Sequence, residues 1–168
     1  DLEKAIATAV TARMINNGQS CIAAKRFIVQ ESIAEAFLTG LVERYRQLKV
    51  GDPLLPDTDI GPLATPGILQ DLEHQVGQCI AAGGKIMTGG DRHALDASLQ
   101  TGNFYPPTIV ADLPVDAPIA KEELFGPVAM VFRVADLDAA IHLANATPFG
   151  LAASAWSTVP HECDRLMH

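Results

Sequence analysis

Apolar side chains recur at steps of three to four from Leu2 through Ile6, Ala9, Val10 and Met14. That is the period of a helix with one buried face, and it predicts a helix over residues 2–15 that Gly18 brings to an end. Arg26-Phe27-Ile28-Val29-Gln30 follows as a short run of strand formers. Ser32 and Glu35 then have the spacing of a capping box, in which each side chain satisfies a free backbone N–H at a helix start. The helix it opens would turn Ile33, Phe37, Leu41 and Leu48 towards a core. From Gly51 to Thr65 no period survives, and a long irregular connection of this type is either functional or disordered. Thr65-Pro66 predicts the next helix start, with proline where its missing N–H does no harm. Leu69, Leu72, Val76 and Ile80 share a face of that helix, Cys79 lies in or beside the stripe as a packed thiol, and Gly83-Gly84 stop it.

Lys85–Thr88, Thr108–Val110 and Val128–Val134 read as strands. Asp136 can cap a helix running through Ala146, with Leu137, Ala140, Ile141 and Ala144 facing inward. Pro148-Phe149-Gly150 turns the chain into a further strand candidate, Leu151 to Trp156, and Thr158 with Pro160 starts a last helix cut off at His168. Helices alternating with short apolar strands predict an α/β fold, a three-layer sandwich with helices on both sides of a largely parallel sheet. Between Ile86 and Val134 the strands lack a strong intervening helix, which leaves room for one antiparallel member.

Charge narrows the partners. Twelve basic against twenty acidic residues give a formal charge of -8 with no basic stripe, a poor match for nucleic acid or an anionic membrane. No apolar run reaches the roughly 18 residues of a membrane span. Asp1-Leu2-Glu3-Lys4 carries no targeting pattern, so the expected location is cytoplasmic. Cys21, Cys79 and Cys163 form no Cys-x-x-Cys pair and the five histidines are scattered, so no disulfide framework and no metal site is expected. The charged fraction of 19% is low, which fits either apolar surface covered by another domain or subunit, or simply an alanine-rich core.

Two stretches could carry chemistry. In Asn16-Asn17-Gly18-Gln19-Ser20-Cys21 a cysteine follows a glycine-containing turn, where backbone N–H groups can be exposed to an oxyanion formed by attack of the sulfur on a carbonyl. A buried structural cysteine is the competing reading. In Lys121-Glu122-Glu123-Leu124-Phe125-Gly126-Pro127 a carboxylate could accept hydrogen bonds from a ribose and Phe125 could pack beside a cofactor ring. A solvated charge pair before a strand explains the same residues.

The order of motifs resembles the NAD(P)-dependent aldehyde dehydrogenase superfamily. The nucleophile-like stretch runs on through Arg26-Phe27-Ile28-Val29, Gly51-Asp52-Pro53, Ile60-Gly61-Pro62-Leu63 and Gly89-Gly90. It continues with Gly102-Asn103-Phe104-Tyr105-Pro106-Pro107-Thr108, Glu122-Glu123-Leu124-Phe125-Gly126-Pro127 and Ala144-Asn145-Ala146-Thr147-Pro148-Phe149-Gly150-Leu151, covering nearly the whole chain. The resemblance implies a catalytic-domain fold of that superfamily. It implies that Cys21 attacks an aldehyde to give a thiohemiacetal, that hydride passes to NAD or NADP, and that water releases the acid from a thioester. It implies that the Cys21 N–H is half of an oxyanion hole, that Glu123 holds the nicotinamide ribose and that Phe125 lies beside the nicotinamide half of the cofactor.

The family's general-base glutamate, its oxyanion asparagine and its nucleotide-binding domain would precede the twenty residues before Cys21. Residues 1–168 are therefore expected to be a partial catalytic domain, without its N-terminal cofactor-binding domain and C-terminal remainder, and inactive alone. Expected partners are a small aldehyde substrate, the missing cofactor domain and further copies of the full-length protein in a homo-oligomer. The Ala23-Ala24-Lys25-Arg26-Phe27-Ile28-Val29 context is similar to bacterial succinate-semialdehyde dehydrogenases. Many relatives place an arginine six residues before the nucleophile, where this chain has Ile15, and Arg13 reads as an ordinary solvated or helix-terminal arginine. A thiol esterase-like activity, or a non-catalytic remnant that acts as a binding module, are the alternatives.

Overall fold

In the computed structural model, which describes residues 1–167, one four-stranded sheet separates two helical layers. The strands are β1 (Arg26–Gln30), β2 (Lys85–Thr88), β3 (Thr108–Ala111) and β4 (Val128–Val134), in the order β1-β4-β3-β2. β1 and β3 both run parallel to β4, and β2 pairs antiparallel with β3. The mixed sheet agrees with the expected architecture, including its antiparallel member. Antiparallel pairing needs no crossover helix, and residues 85–111 contain no α-helix.

The alternation of β4 divides the core. Val128, Met130, Phe132 and Val134 face one side, with Leu69, Leu72, Val76 and Cys79 of α3 (Pro66–Ala81) and Leu143 of α4 (Leu137–Asn145). Ala129 and Val131 face the other, with Ile6 and Ala9 of α1 (Leu2–Met14) and Phe37, Leu38 and Leu41 of α2 (Glu31–Gln47). A strand buried on both faces reads as a continuous apolar run, as Val-Ala-Met-Val-Phe does.

Several expectations shift. The Ser32–Glu35 capping box does not form: α2 starts at Glu31 directly off β1, its N-cap Gln30 makes no side-chain capping bond, and Glu35 pairs instead with Arg133 at 2.8 Å. With the helix entered earlier, Ala34, Leu38, Val42 and Tyr45 join Phe37 and Leu41 inside, while Ile33 is exposed. In α3 the buried stripe ends on Cys79 and leaves Ile80 outside. In α4, capped by Asp136 as expected, Leu143 is the buried residue and Ala144 is exposed. Leu151 to Trp156 is not a strand: no described segment pairs with it, and extended backbone without a ladder partner is left to solvent. α5 (Pro160–Met167) follows, and His168 lies outside the described residues. No helix among the described residues is long and apolar enough to cross a membrane.

Cys79 is fully buried, and burial, aided by the field of Glu122, pushes its thiol up to about 11. It should therefore resist alkylation at neutral pH in the native protein and react only on unfolding, which peptide mapping after iodoacetamide in buffer and in urea will read. Leu72, packed against both α3's neighbours and Gly126, should cost about 2–5 kcal/mol of stability as Leu72→Ala in urea titration.

Candidate functional site

Parallel neighbours enter a sheet from the same edge. The stretch bearing Cys21 leads into β1 and the stretch bearing Glu123 and Phe125 leads into β4, so the β1–β4 pairing delivers both to one end of the sheet. The two regions picked out in the sequence, a hundred residues apart, are thereby adjacent.

The path from α1 to Cys21 is unusual. Asn16, Asn17 and Gly18 have φ of 51°, 56° and 77°, three consecutive residues in the left-handed region. Asparagine and glycine tolerate that region best, which accounts for the Asn-Asn-Gly sequence. The side chains then fasten the turn to the irregular connection that follows α2. The Gly61 N–H donates to Asn17 Oδ1 at 3.1 Å, and the Ala64 N–H donates to Gln19 Oε1 at 2.8 Å. That connection, legible only as a functional or disordered type, is a docking surface for the nucleophile-like turn.

Below Gly18 lies Arg13. It is wholly buried, its Nη2 donates to the Gly18 carbonyl, and its Nε and Nη1 have no partner among the described residues. Burial pulls the guanidinium down to about 10, with Tyr45 and Glu123 acting in the opposite direction, so it remains a cation at neutral pH. Arg13 is helix-terminal as expected, in the last turn of α1, but it is not solvated: that turn packs against the nucleophile turn instead of water. Ile15, next in sequence but one, is exposed.

Cys21 itself is exposed. A tight turn closes from the Ala23 N–H to the Ser20 carbonyl at 3.1 Å, with Cys21 and Ile22 at its centre. The Cys21 N–H donates to nothing among the described residues. Lys25, which sequence reading passed over, organises this turn. Its Nζ donates to the carbonyls of Ser20, Cys21 and Ala23 at 2.9, 3.1 and 3.0 Å and pairs with Glu123 Oε1 at 2.9 Å. The ammonium also sits 6.0 Å from the Phe125 ring centroid. Glu123 is thus not a solvated charge but the half-buried partner of a cation anchored beside Cys21. A lysine placed among apolar residues just ahead of a strand was the available signal.

On the far side of Glu123, Gln75 Nε2 on α3 donates to Glu122 Oε2 at 3.2 Å and to the Glu123 carbonyl at 3.1 Å. Ile68, Asp71, Leu72, Gln75, Glu123 and Phe125 line a small cleft of about 140 Å³. A carboxylate and an amide beside an aromatic edge suit a sugar hydroxyl pair next to a flat ring, so the residues present fit the ribose end of a nicotinamide cofactor. Among the described residues no group of three or more His, Cys, Asp or Glu side chains could hold a metal ion.

A family model described as "Aldehyde dehydrogenase family" matches residues 1–168. The chain belongs to the aldehyde dehydrogenase family. It is 57% identical over 167 residues to a Synechocystis sp. protein named probable succinate-semialdehyde dehydrogenase, NADP(+), covering 99% of this chain and 36% of that protein. It is 50% identical over 167 residues to the succinate-semialdehyde dehydrogenase, NADP(+), of Mycolicibacterium paratuberculosis, covering 99% of this chain and 34% of that one. The Staphylococcus aureus betaine aldehyde dehydrogenase, solved in complex with NAD+, superposes with a TM-score of 0.93 at 32% identity, covering 99% of this chain and 33% of that one. The family is one of NAD(P)-dependent dehydrogenases, and this aldehyde dehydrogenase chain spans about a third of the length of the curated relatives it matches.

A side chain at Gly18 would be strained at φ 77° and would run into the Gly126 carbonyl and Arg13 Nη2. Gly18→Ala should lower stability by about 2–4 kcal/mol and part the two loops. Thermal melting together with faster proteolysis around residues 16–25 will check it; a variant as stable and as resistant as the parent would contradict the close approach.

Proposed function

We propose that this chain carries the nucleophile and part of the cofactor surface of an NAD(P)-dependent aldehyde dehydrogenase that oxidises succinate semialdehyde to succinate. The observation that carries the reading is that the backbone of the exposed Cys21 and the carboxylate of Glu123 meet on one ammonium, that of Lys25, at one end of the sheet. Cys21 Sγ forms a bond to the aldehyde carbon, and the carbonyl electron pair moves onto oxygen. The unengaged N–H of Cys21 is available to receive that oxyanion. NAD(P)+, when bound, supplies the acceptor for the hydride that leaves the same carbon. Glu123 is the acceptor for the ribose hydroxyls, with Phe125 flanking the nicotinamide side. The acyl group left on Cys21 Sγ is a thioester, and water releases it as the acid.

Turnover in this reading needs a general base and a nucleotide-binding domain from further polypeptide, in keeping with relatives about three times as long. The isolated 168 residues form no NAD(P)H. The substrate is drawn from the names of the relatives, and Arg13 is not its carboxylate anchor, since that guanidinium is sealed beneath Gly18. Another short aldehyde is the competing substrate.

In the complete enzyme, Cys21→Ala should cut succinate-semialdehyde-dependent NAD(P)H formation by about 10³-fold or more while leaving the fold intact by circular dichroism. Retention of activity by Cys21→Ala would overturn the assignment of the nucleophile. A wild-type enzyme that reduces no nucleotide with any of a panel of short aldehydes would overturn the reading as a whole.

A further inference from the structure

Among the described lysines in ion pairs, Lys25 is the one whose ammonium is largely enclosed, and it meets four oxygens at once. Its side chain is 14% exposed, against 50% or more for Lys49 and Lys85 in their ion pairs. Three of the four oxygens belong to one stretch of backbone, Ser20, Cys21 and Ala23, and the fourth is Glu123 Oε1. Lysine's main chain is fixed as well, since the Met130 N–H of β4 donates to the Lys25 carbonyl at 3.0 Å. A charge on a short tether rooted in the sheet therefore grips a turn that is otherwise exposed.

The grip has a directional consequence. In a planar trans peptide the C=O and the following N–H point in opposite directions. The Ser20 carbonyl is drawn inward by both the Lys25 ammonium and the Ala23 N–H. The Cys21 N–H of the same peptide must then point outward, away from Lys25. The Cys21 carbonyl is drawn the same way, which turns the Ile22 N–H outward in its turn. Three ammonium protons shared over four acceptors suit a compact point charge, whereas the planar fork of an arginine would match a carboxylate but could not converge on three carbonyls.

We propose that Lys25 is a positioning residue for the Cys21 site, acting through the backbone it gathers and the carboxylate it holds. It aims the Cys21 N–H at the position where an oxyanion develops, and it fixes Glu123 beside the cofactor cleft. The proposal rests on the dehydrogenase reading above, and the two functions of Lys25 are separable by substitution.

The test compares wild type, Lys25→Met and Lys25→Arg in the complete enzyme, with hydrolysis of p-nitrophenyl acetate in the absence of nucleotide and aldehyde oxidation as paired readouts. Ester hydrolysis draws on Cys21 and the oxyanion hole that its N–H helps to form, without the nucleotide that Glu123 would hold. Lys25→Met should lower ester hydrolysis and kcat by about 10- to 100-fold through misplacement of the turn. It should also raise the nucleotide KM by about tenfold through release of Glu123. Lys25→Arg keeps the pairing with Glu123, so its nucleotide KM should stay within about twofold of wild type while ester hydrolysis remains depressed. A residue that merely supported the fold would not split the two readouts.

Ester hydrolysis and kcat within twofold of wild type in Lys25→Met would overturn the proposal. Should Lys25→Met fail to fold, Lys25→Arg decides: full ester hydrolysis there overturns it, and loss with an unchanged nucleotide KM supports it. Failure of the underlying reading looks different. It shows as a wild-type enzyme that is inactive in both assays, and the proposal then falls with it.

Discussion

The parallel pairing of β1 with β4 is the constraint on which the site depends. Register Arg26↔Met130 through Gln30↔Val134 sets two strands side by side and pointing the same way, so whatever precedes each must arrive at the same edge. Cys21 and Glu123 both lie five residues ahead of their strands, at Arg26 and Val128. Burial on both faces of β4 holds that pairing against slippage, because a shift by one residue would exchange the Met130 face for the Val131 face across two different helical layers.

Cations then convert proximity into a fixed arrangement. Arg13 fastens the turn from beneath through the Gly18 carbonyl, and Lys25 fastens it from the side through Ser20, Cys21 and Ala23. Charge-assisted hydrogen bonds of this kind are stronger than those between neutral groups, and here they act where three left-handed residues would otherwise make the path costly. The close approach at Gly18, which leaves no room for a Cβ against Gly126, shows how tightly the two loops are drawn together.

The elements of the fold were largely legible in the sequence because period, capping and turn chemistry agree in most segments. Thr65-Pro66 and Asp136 cap their helices as read, with bonds to Ile68 and Ala139. Errors gathered where local signals compete with tertiary ones. Ser32 and Glu35 have capping spacing, yet the chain leaves β1 already committed to a helix at Glu31. Leu151–Trp156 has strand composition, but composition cannot say whether a partner edge exists. For the site, motif order pointed to Cys21, Glu123 and Phe125, and the structure brings the two segments together. The role of Lys25 and the burial of Arg13 beneath Gly18 were not legible, because a cation's partners are backbone carbonyls and a distant carboxylate, which leave no trace in spacing.

The central claim is that Cys21 forms the covalent bond at this edge, and the most direct measurement is rapid acid quenching of the complete enzyme during turnover of succinate semialdehyde with nucleotide, followed by peptide mass mapping. A succinyl group on the peptide containing Cys21, absent when nucleotide is omitted, is the result the account predicts. Acid formation with the acyl group on Cys79, on Cys163 or on no cysteine would contradict it.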